Sequence, residues 1–229
     1  MSIALARAQW TVAMAGRRQA TLEEAAREGG SRCVPIQCDV SDEASVHELF
    51  GRIEREMGRL DLLFNNAGVA SPSTPLEETS IAAWRSIIDT NVTGTFLCTR
   101  AAFMLMKKQR PSGGRIINNG SISATVPRPG MIAYTASKHA VTGLTRSTAL
   151  EGRRYGIACG QIDIGNTTTE MTSPMSHGTL QADGSRIPEP QFEVKHVADA
   201  VLYMAELPLD ANVLFMTIMA TKMPYVGRG

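Results

Sequence analysis

Short apolar runs alternate with longer amphipathic stretches over most of the chain. The apolar runs are rich in β-branched residues, as buried strands are, and they occupy residues 10–15, 32–38, 60–65, 115–119, 157–162 and 213–219. Helical spacing of apolar residues marks the stretches 21–28, 43–57, 83–106, 134–154 and 194–206. Alternating strands and helices with short connections predict an α/β fold, with a doubly wound parallel sheet covered by helices on both faces.

One segment, residues 165–192, breaks this alternation. It is rich in Thr, Pro and Gly and shows no periodicity. A loop of this length inside a compact domain is usually a lid, a binding loop or disordered. Because it follows the carboxyl end of a predicted strand, where ligands of open α/β sheets bind, we interpret it as a substrate lid within a single domain, residues 1–229.

Charge and hydropathy exclude two classes of partner. The 229 residues include 23 Lys and Arg against 22 Asp and Glu, for a formal net charge of +1. This balance gives no attraction to nucleic acid or to an anionic membrane. The longest apolar run, residues 213–220, is far shorter than the ~20 residues of a membrane helix, and the N-terminus lacks a signal-peptide pattern. We therefore expect a cytoplasmic protein that acts on a small molecule.

The spacing of the four cysteines indicates reduced thiols rather than disulfides. Cys33, Cys38, Cys98 and Cys159 form neither a Cys-x-x-Cys pair nor a dense disulfide framework. A metal site is the alternative, but Cys33 and Cys38 bracket an apolar stretch and lack matching His or Cys partners. We expect no bound metal.

The first candidate for catalysis is a tyrosine–lysine pair. Tyr134 and Lys138 stand four residues apart at the start of a predicted helix, so their side chains project from one face. A free tyrosine titrates at about pH 10, whereas an acid–base catalyst works best near the ambient pH. An ammonium at ~4 Å stabilises a tyrosinate by roughly 4 kcal/mol, which is the right size to close that difference. The spacing alone also arises by chance on exposed helices.

A serine and three further motifs make the pair specific. Ser121 follows a predicted strand and precedes Tyr134 by thirteen residues, a spacing that favours it over nearby Ser123. Asn65-Asn66-Ala67-Gly68 follows an earlier strand, Asn91 interrupts a long helix, and Asp39 follows another strand. In this order and at these spacings, the chain resembles the short-chain dehydrogenase/reductase (SDR) family over essentially residues 3–220.

The resemblance implies a Rossmann-type, three-layer fold and a nicotinamide-dependent oxidoreductase acting on a carbonyl or alcohol. Tyr134 would exchange a proton with the substrate oxygen, and Lys138 would assist Tyr134 and bond the nicotinamide ribose. Ser121 would hydrogen-bond the substrate oxygen. Asn91 would hold a water that links Lys138 to solvent.

The cofactor implied is NADP(H) rather than NAD(H). Arg17 and Arg18 follow the first predicted strand, where enzymes that prefer NAD place an acidic residue, and arginine suits a 2′-phosphate. Thr169 and Met171 fall where the family has a Thr-x-Met that meets the nicotinamide. The full set of expected cofactor contacts is Arg17, Arg18, Asp39, Val40, Asn66, Ala67, Tyr134, Lys138, Ile164 and Thr167.

The chain departs from the family pattern at its N-terminus. The family opens with a strand and a glycine-rich turn that holds the pyrophosphate, whereas no glycine occurs here before Gly16. We expect residues 2–8 to be the end of the following helix and the sheet to lack the strand between residues 10–15 and 60–65. The alternative function is therefore a catalytically impaired remnant or an interaction subunit of the same family. Family members commonly pair through the helices at 83–106 and 134–154, which implies a homodimer or homotetramer.

Overall fold

The computed structural model describes residues 1–169 and 178–226 as alternating strands and helices. The helices are α1 (Ser2–Arg7), α2 (Gln19–Gly29), α3 (Glu43–Met57), α4 (Ile81–Ile88), α5 (Gly94–Lys108), α6 (Ile132–Gly152) and α7 (Val194–Glu206). The strands are β1 (Val12–Gly16), β2 (Cys33–Gln37), β3 (Leu62–Asn65), β4 (Gly114–Asn119), β5 (Ile157–Ile164), β6 (Thr179–Leu180), β7 (Arg186–Ile187) and β8 (Phe215–Ile218).

The parallel strands lie in two sheets. β3, β4, β5 and β8 form a four-stranded sheet in that order, and every neighbouring pair is parallel. β1 and β2 form a parallel pair of their own. Within the described residues no ladder joins β1 to β3, and a cleft of about 1150 Å³ lies between these two strands. The parallel sheet with flanking helices confirms the predicted fold class.

The larger sheet is covered on both faces. Ile116 and Ile117 are successive residues of β4, so their side chains point to opposite faces, and both are fully buried. Ile116 packs in a core with Phe50 of α3 and Met106 of α5. Ile117 packs in a second core formed largely by α7. Adjacent apolar residues in one strand are expected where both faces of a sheet are covered.

Two element boundaries differ from the prediction for identifiable reasons. The third strand begins at Leu62 rather than at residue 60, because both backbone groups of Leu60 are hydrogen-bonded to the side-chain amide of Gln109. Leu60 N donates to Gln109 Oε1 at 2.9 Å, and Gln109 Nε2 donates to Leu60 O at 3.0 Å. The long helix predicted at 83–106, with an interruption at Asn91, consists of α4 and α5 separated by a π-helical turn, Asp89–Thr93, whose type was not predicted. A π turn inserts an extra residue that apolar periodicity does not reveal.

Candidate active site

Ser121 stands just beyond the carboxyl end of β4. Its hydroxyl accepts a hydrogen bond from Ser123 N at 3.1 Å and so begins the short 3₁₀ turn Ile122–Ala124. The backbone N of Ser121 donates to Oδ1 of Asp163 on β5 at 3.0 Å. Ser123 is buried beside it, and its amide supports the hydroxyl of Ser121.

Tyr134 and Lys138 lie on the first turns of α6, and Lys138 contacts the carboxyl end of β4. Lys138 is only 5% exposed, and its Nζ donates to Asn119 O at 2.7 Å. Nζ also lies 5.5 Å from the ring centroid of the half-buried Tyr134. Since Asn119 is two residues before Ser121, the structure brings Lys138 and Tyr134 to the strand end that carries the serine.

Asn91 occupies the centre of the π turn and is 1% exposed. Its Oδ1 accepts from Val69 N at 2.8 Å, and its Nδ2 donates to Val69 O at 2.9 Å and to Ser137 Oγ at 3.0 Å. A Cβ placed on Gly68 would lie 3.5 Å from Asn91 Oδ1 and 3.9 Å from Lys138 Nζ. The side-chain amide of Asn91 thus joins the loop after β3 to α6, close to Lys138. This amide contact is a role that the sequence analysis missed.

The candidate cofactor residues at the ends of β1 and β2 are charged and accessible. Arg17 and Arg18 are exposed, and Gln37 Nε2 fixes the backbone there by donating to Arg17 O at 3.0 Å. Asp39 accepts from Ser41 Oγ at 2.7 Å and from Ser41 N at 3.0 Å. These two bonds, with a smaller contribution from the charge of Arg17, lower the pKa of Asp39 below its usual value.

The candidate cofactor residues at three strand ends share one cleft. The cleft between β1 and β3 is lined at this end by Arg17, Arg18, Asp39, Val40, Asn66 and Ala67. Asn66 is exposed, and its Oδ1 accepts from Asn119 Nδ2 at 3.0 Å, which connects it to the strand that leads to Ser121. The guanidinium groups of Arg17 and Arg18 supply the forked N–H donors that the 2′-phosphate of an adenosine accepts. The residues present therefore fit the nucleotide end of NADP(H).

The predicted lid is tied together at its base. Thr167 forms a parallel bridge with Phe192, and Phe192 N donates to Asn166 O at 3.1 Å. Between these ends, β6 and β7 form a short antiparallel hairpin. Ile164 is the last residue of β5, directly before this segment. Residues 170–177, which include Met171, lie outside the described residues.

A buried ion pair joins this segment to the loop before α6, and the sequence analysis did not find it. Arg128 donates to Glu189 Oε2 at 2.6 Å, with side chains 7% and 1% exposed. Asn166 lies between them, since its Oδ1 accepts from Arg128 at 3.1 Å and its Nδ2 donates to Glu189 at 2.8 Å. Arg128 also borders a cavity of about 250 Å³ beside the start of α6. Because the partners are 61 residues apart, no local pattern marks them as a pair.

The described part of the chain shows no disulfide, no cluster of metal-ligating side chains and no helix that could span a membrane. All four cysteines are free and buried. No group of three or more His, Cys, Asp or Glu side chains there is arranged to hold a metal ion. None of the helices that the structure describes combines the length and apolar character needed to cross a membrane.

Comparison with known proteins gives consistent matches. The family model described as short chain dehydrogenase matches residues 1–179. The 3beta-hydroxysteroid dehydrogenase of Mediterraneibacter gnavus is 38% identical over 169 residues, 72% of this chain but only 60% of that protein, so the chain spans less than two thirds of this relative's length. A Xanthobacter autotrophicus protein named inactive 2-(S)-hydroxypropyl-CoM dehydrogenase 2 is 34% identical, covering 99% of this chain and 94% of its own. The closed form of serine dehydrogenase complexed with NADP⁺ superimposes with a TM-score of 0.86 at 27% identity, covering 100% of this chain and 93% of that one.

Proposed function

Because the chain belongs to the short-chain dehydrogenase family, we propose that it transfers hydride between NADP(H) and a secondary alcohol or the corresponding carbonyl. The observation that carries this proposal is the buried Lys138 ammonium, 5.5 Å from the Tyr134 ring at the strand end that bears Ser121. In this arrangement Tyr134 would be the group that exchanges a proton with the substrate oxygen, and Lys138 the cation beside it.

Each polar group has a distinct part in this proposal. The nicotinamide, when bound, supplies or accepts the hydride. Tyr134 gives a proton to the substrate oxygen in reduction and removes it in oxidation. The Ser121 hydroxyl accepts from Ser123 N, so its own proton can be donated to the same substrate oxygen as negative charge develops. Lys138 has three donors, one bonded to Asn119 O, and another would bond the nicotinamide ribose.

The preference for NADP(H) rests on Arg17 and Arg18. Both are exposed at the cleft edge, one and two residues beyond β1, where a 2′-phosphate would be reached by a guanidinium fork. The serine dehydrogenase structure that superimposes on the whole chain is complexed with NADP⁺, which supports the same preference. Asn66, Ala67, Asp39 and Val40 would line the adenosine side; Ile164 and Thr167, at the carboxyl end of β5, would lie near the nicotinamide.

Steady-state oxidation tests the proposal. The probes are a 3β-hydroxysteroid and L-serine, taken from the names of the relatives, each with NADP⁺ and with NAD⁺, followed by nicotinamide absorbance. We expect turnover that Tyr134→Phe lowers by about 100-fold or more, since general acid–base catalysis contributes about 10²–10⁴-fold. Ser121→Ala should cause a comparable loss, whereas the matched control Ser123→Ala should retain most activity because its contribution is a backbone amide. Equal losses in the two serine variants would contradict the assignment of Ser121.

A second candidate function is a catalytically impaired member of the family. The observation in its favour is the Xanthobacter relative, which covers 99% of this chain and carries the name inactive. This candidate predicts that wild-type protein and Tyr134→Phe show the same rate with every probe and with both cofactors, while the protein remains folded by circular dichroism. A rate that depends on Tyr134 would exclude it.

We also propose that copies of the chain pair through α5 and α6. Exposed apolar side chains on these helices, Phe96, Met104 and Leu150, support an interface there. Light scattering at micromolar concentration should show a dimer or tetramer. Phe96→Glu combined with Leu150→Glu should shift it toward the monomer, and a folded wild-type monomer would contradict the proposal.

A further inference from the structure

Asp163 is a buried carboxylate that the proposed reaction does not use. It is the penultimate residue of β5 and is 8% exposed. Its Oδ1 accepts two hydrogen bonds, from Ser121 N at 3.0 Å and from Gln161 Nε2 at 2.7 Å. The first bond holds the peptide amide of the residue whose hydroxyl meets the substrate. A carboxylate in this position is costly to bury unless it is hydrogen-bonded.

The neighbouring position 120 has no room for a side chain, so a glycine stands there. A Cβ at this position would collide with Asp163 Oδ1 and would lie 2.7 Å from Gln161 Nε2. Gly120 is not among the glycines with positive φ, so its backbone conformation does not demand glycine. Its N donates to Ile162 O at 2.8 Å, which keeps β4 and β5 paired up to this point. The absence of a side chain at 120 is therefore what lets the carboxylate reach the Ser121 amide.

A buried hydrogen-bond network holds Asp163 in place. Gln161, which donates to Asp163, accepts from Thr145 Oγ1 on α6 at 3.0 Å. Thr145 Oγ1 in turn accepts from Asn118 Nδ2 on β4 at 2.9 Å, and Asn118 Oδ1 accepts from Asn65 Nδ2 on β3 at 2.9 Å. These residues are all buried. The network fixes the carboxylate relative to three strands and α6, as a rigid support for a functional side chain requires.

We propose that Asp163 is a positioning residue of the active centre, which fixes the Ser121 amide and thereby directs the Ser121 hydroxyl. The proposal rests on the proposed function, because Ser121 is assigned there to the substrate oxygen. Asp163 itself contacts Ser121 N and Gln161 and acts on the substrate oxygen only through Ser121. Gly120 is the second half of the same device, since a side chain there would push the carboxylate away.

Four variants test the proposal. Asp163→Asn retains an Oδ1 acceptor for Ser121 N, whereas Asp163→Ala removes it. Gly120→Ala displaces the carboxylate without changing it, and its matched control is Gly143→Ala on α6, where an added Cβ meets nothing within 4 Å. We expect kcat for 3β-hydroxysteroid oxidation with NADP⁺ to fall by about 10- to 100-fold in Asp163→Ala and Gly120→Ala, as misplacement of a catalytic group does. Asp163→Asn and Gly143→Ala should stay near wild type, and KM for NADP⁺ should be unchanged in all four.

A second readout does not need turnover. Hydrogen–deuterium exchange of the Ser121 amide should accelerate in Asp163→Ala and Gly120→Ala but not in Asp163→Asn or Gly143→Ala. If no probe is turned over by wild type, the proposed function fails while the exchange experiment still decides whether Asp163 holds Ser121. Wild-type exchange in Asp163→Ala, or equal kcat in Asp163→Ala and Asp163→Asn, would overturn the proposal. If Asp163→Ala fails to fold, the two glycine variants carry the same comparison.

Discussion

Replacement of Asn91 by alanine should destabilise the protein severely. The amide of Asn91 is 1% exposed and makes three hydrogen bonds, two to the Val69 peptide and one to Ser137 Oγ. Each buried partner left unsatisfied costs about 1–3 kcal/mol. Val69 is half-buried and Ser137 Oγ keeps its bond to Tyr134 O, so the partners are partly compensated. We therefore expect a loss of about 3 kcal/mol, a large part of the ~5–15 kcal/mol stability of a typical domain.

Urea unfolding followed by circular dichroism measures this loss. With a slope of about 2 kcal/mol/M, the midpoint of Asn91→Ala should fall by about 1–2 M. Asn66→Ala is the matched control, because the Asn66 side chain is exposed and makes one exposed bond to Asn119. Its midpoint should move by less than about 0.5 M, since surface substitutions usually change stability by under ~0.5 kcal/mol. Equal urea midpoints for the two variants would refute the conclusion that the buried Asn91 amide stabilises the fold by joining the loop after β3 to α6.

Three other measurements test separate parts of the molecule. Burial raises the pKa of Asp163, so the stability that its protonated form contributes is fully present below pH 3.8 and is lost as pH rises through the raised pKa. The free energy of unfolding of Asp163→Asn should therefore increase relative to that of wild type as pH rises from acid values. A difference in unfolding free energy that does not change with pH would refute this. Arg17→Ala should raise KM for NADP⁺ by about 10-fold and leave KM for NAD⁺ unchanged, with a smaller effect of Arg18→Ala; parallel changes for both cofactors would argue against a 2′-phosphate contact. Burial raises the pKa of Cys98 and of Cys159 to about 12, so both thiols should react with a disulfide reagent only after unfolding, and rapid labelling of native protein would contradict the structure.

Local sequence patterns located most of the parallel elements. β4 and β5 were placed within one or two residues, because each carries buried isoleucines and is covered on both faces. The start of α6 was likewise placed within two residues, so Tyr134 and Lys138 fall on the helix as predicted. These features depend on neighbours in sequence, and periodicity reports neighbours well.

The π turn and the amide contacts of Asn91 were not predicted, for a local reason. The stretch around it contains Thr90, Val92 and Thr93, which are β-branched and weak helix formers, before Gly94. The sequence therefore marked an interruption, but it could not specify a π turn, nor that the turn would point the Asn91 amide at Val69. That contact depends on where the loop after β3 passes, which is set by tertiary packing.

The contacts around Ser121 show the same limit over a longer range. Asp163 lies 42 residues from Ser121, and it meets that amide only because β4 and β5 pair with Asn119 opposite Ile162. A shift of that register by one residue would turn the Asp163 side chain to the other face of the sheet. Sequence alone does not determine such a register, so a buried aspartate near the end of β5 carries no recognisable signal.

Stability and positioning act in opposite directions at Asp163. Burial raises its pKa, which means that the charged carboxylate destabilises the native state at neutral pH relative to a neutral side chain of the same shape. An isosteric asparagine would remove that cost and keep the bond to Ser121, whereas alanine would remove both. The carboxylate also requires the absence of a side chain at Gly120. One hydrogen bond to the Ser121 amide therefore restricts two positions, Asp163 on β5 and Gly120 directly after β4. Such a loss of stability is expected where a fold holds a functional group in place.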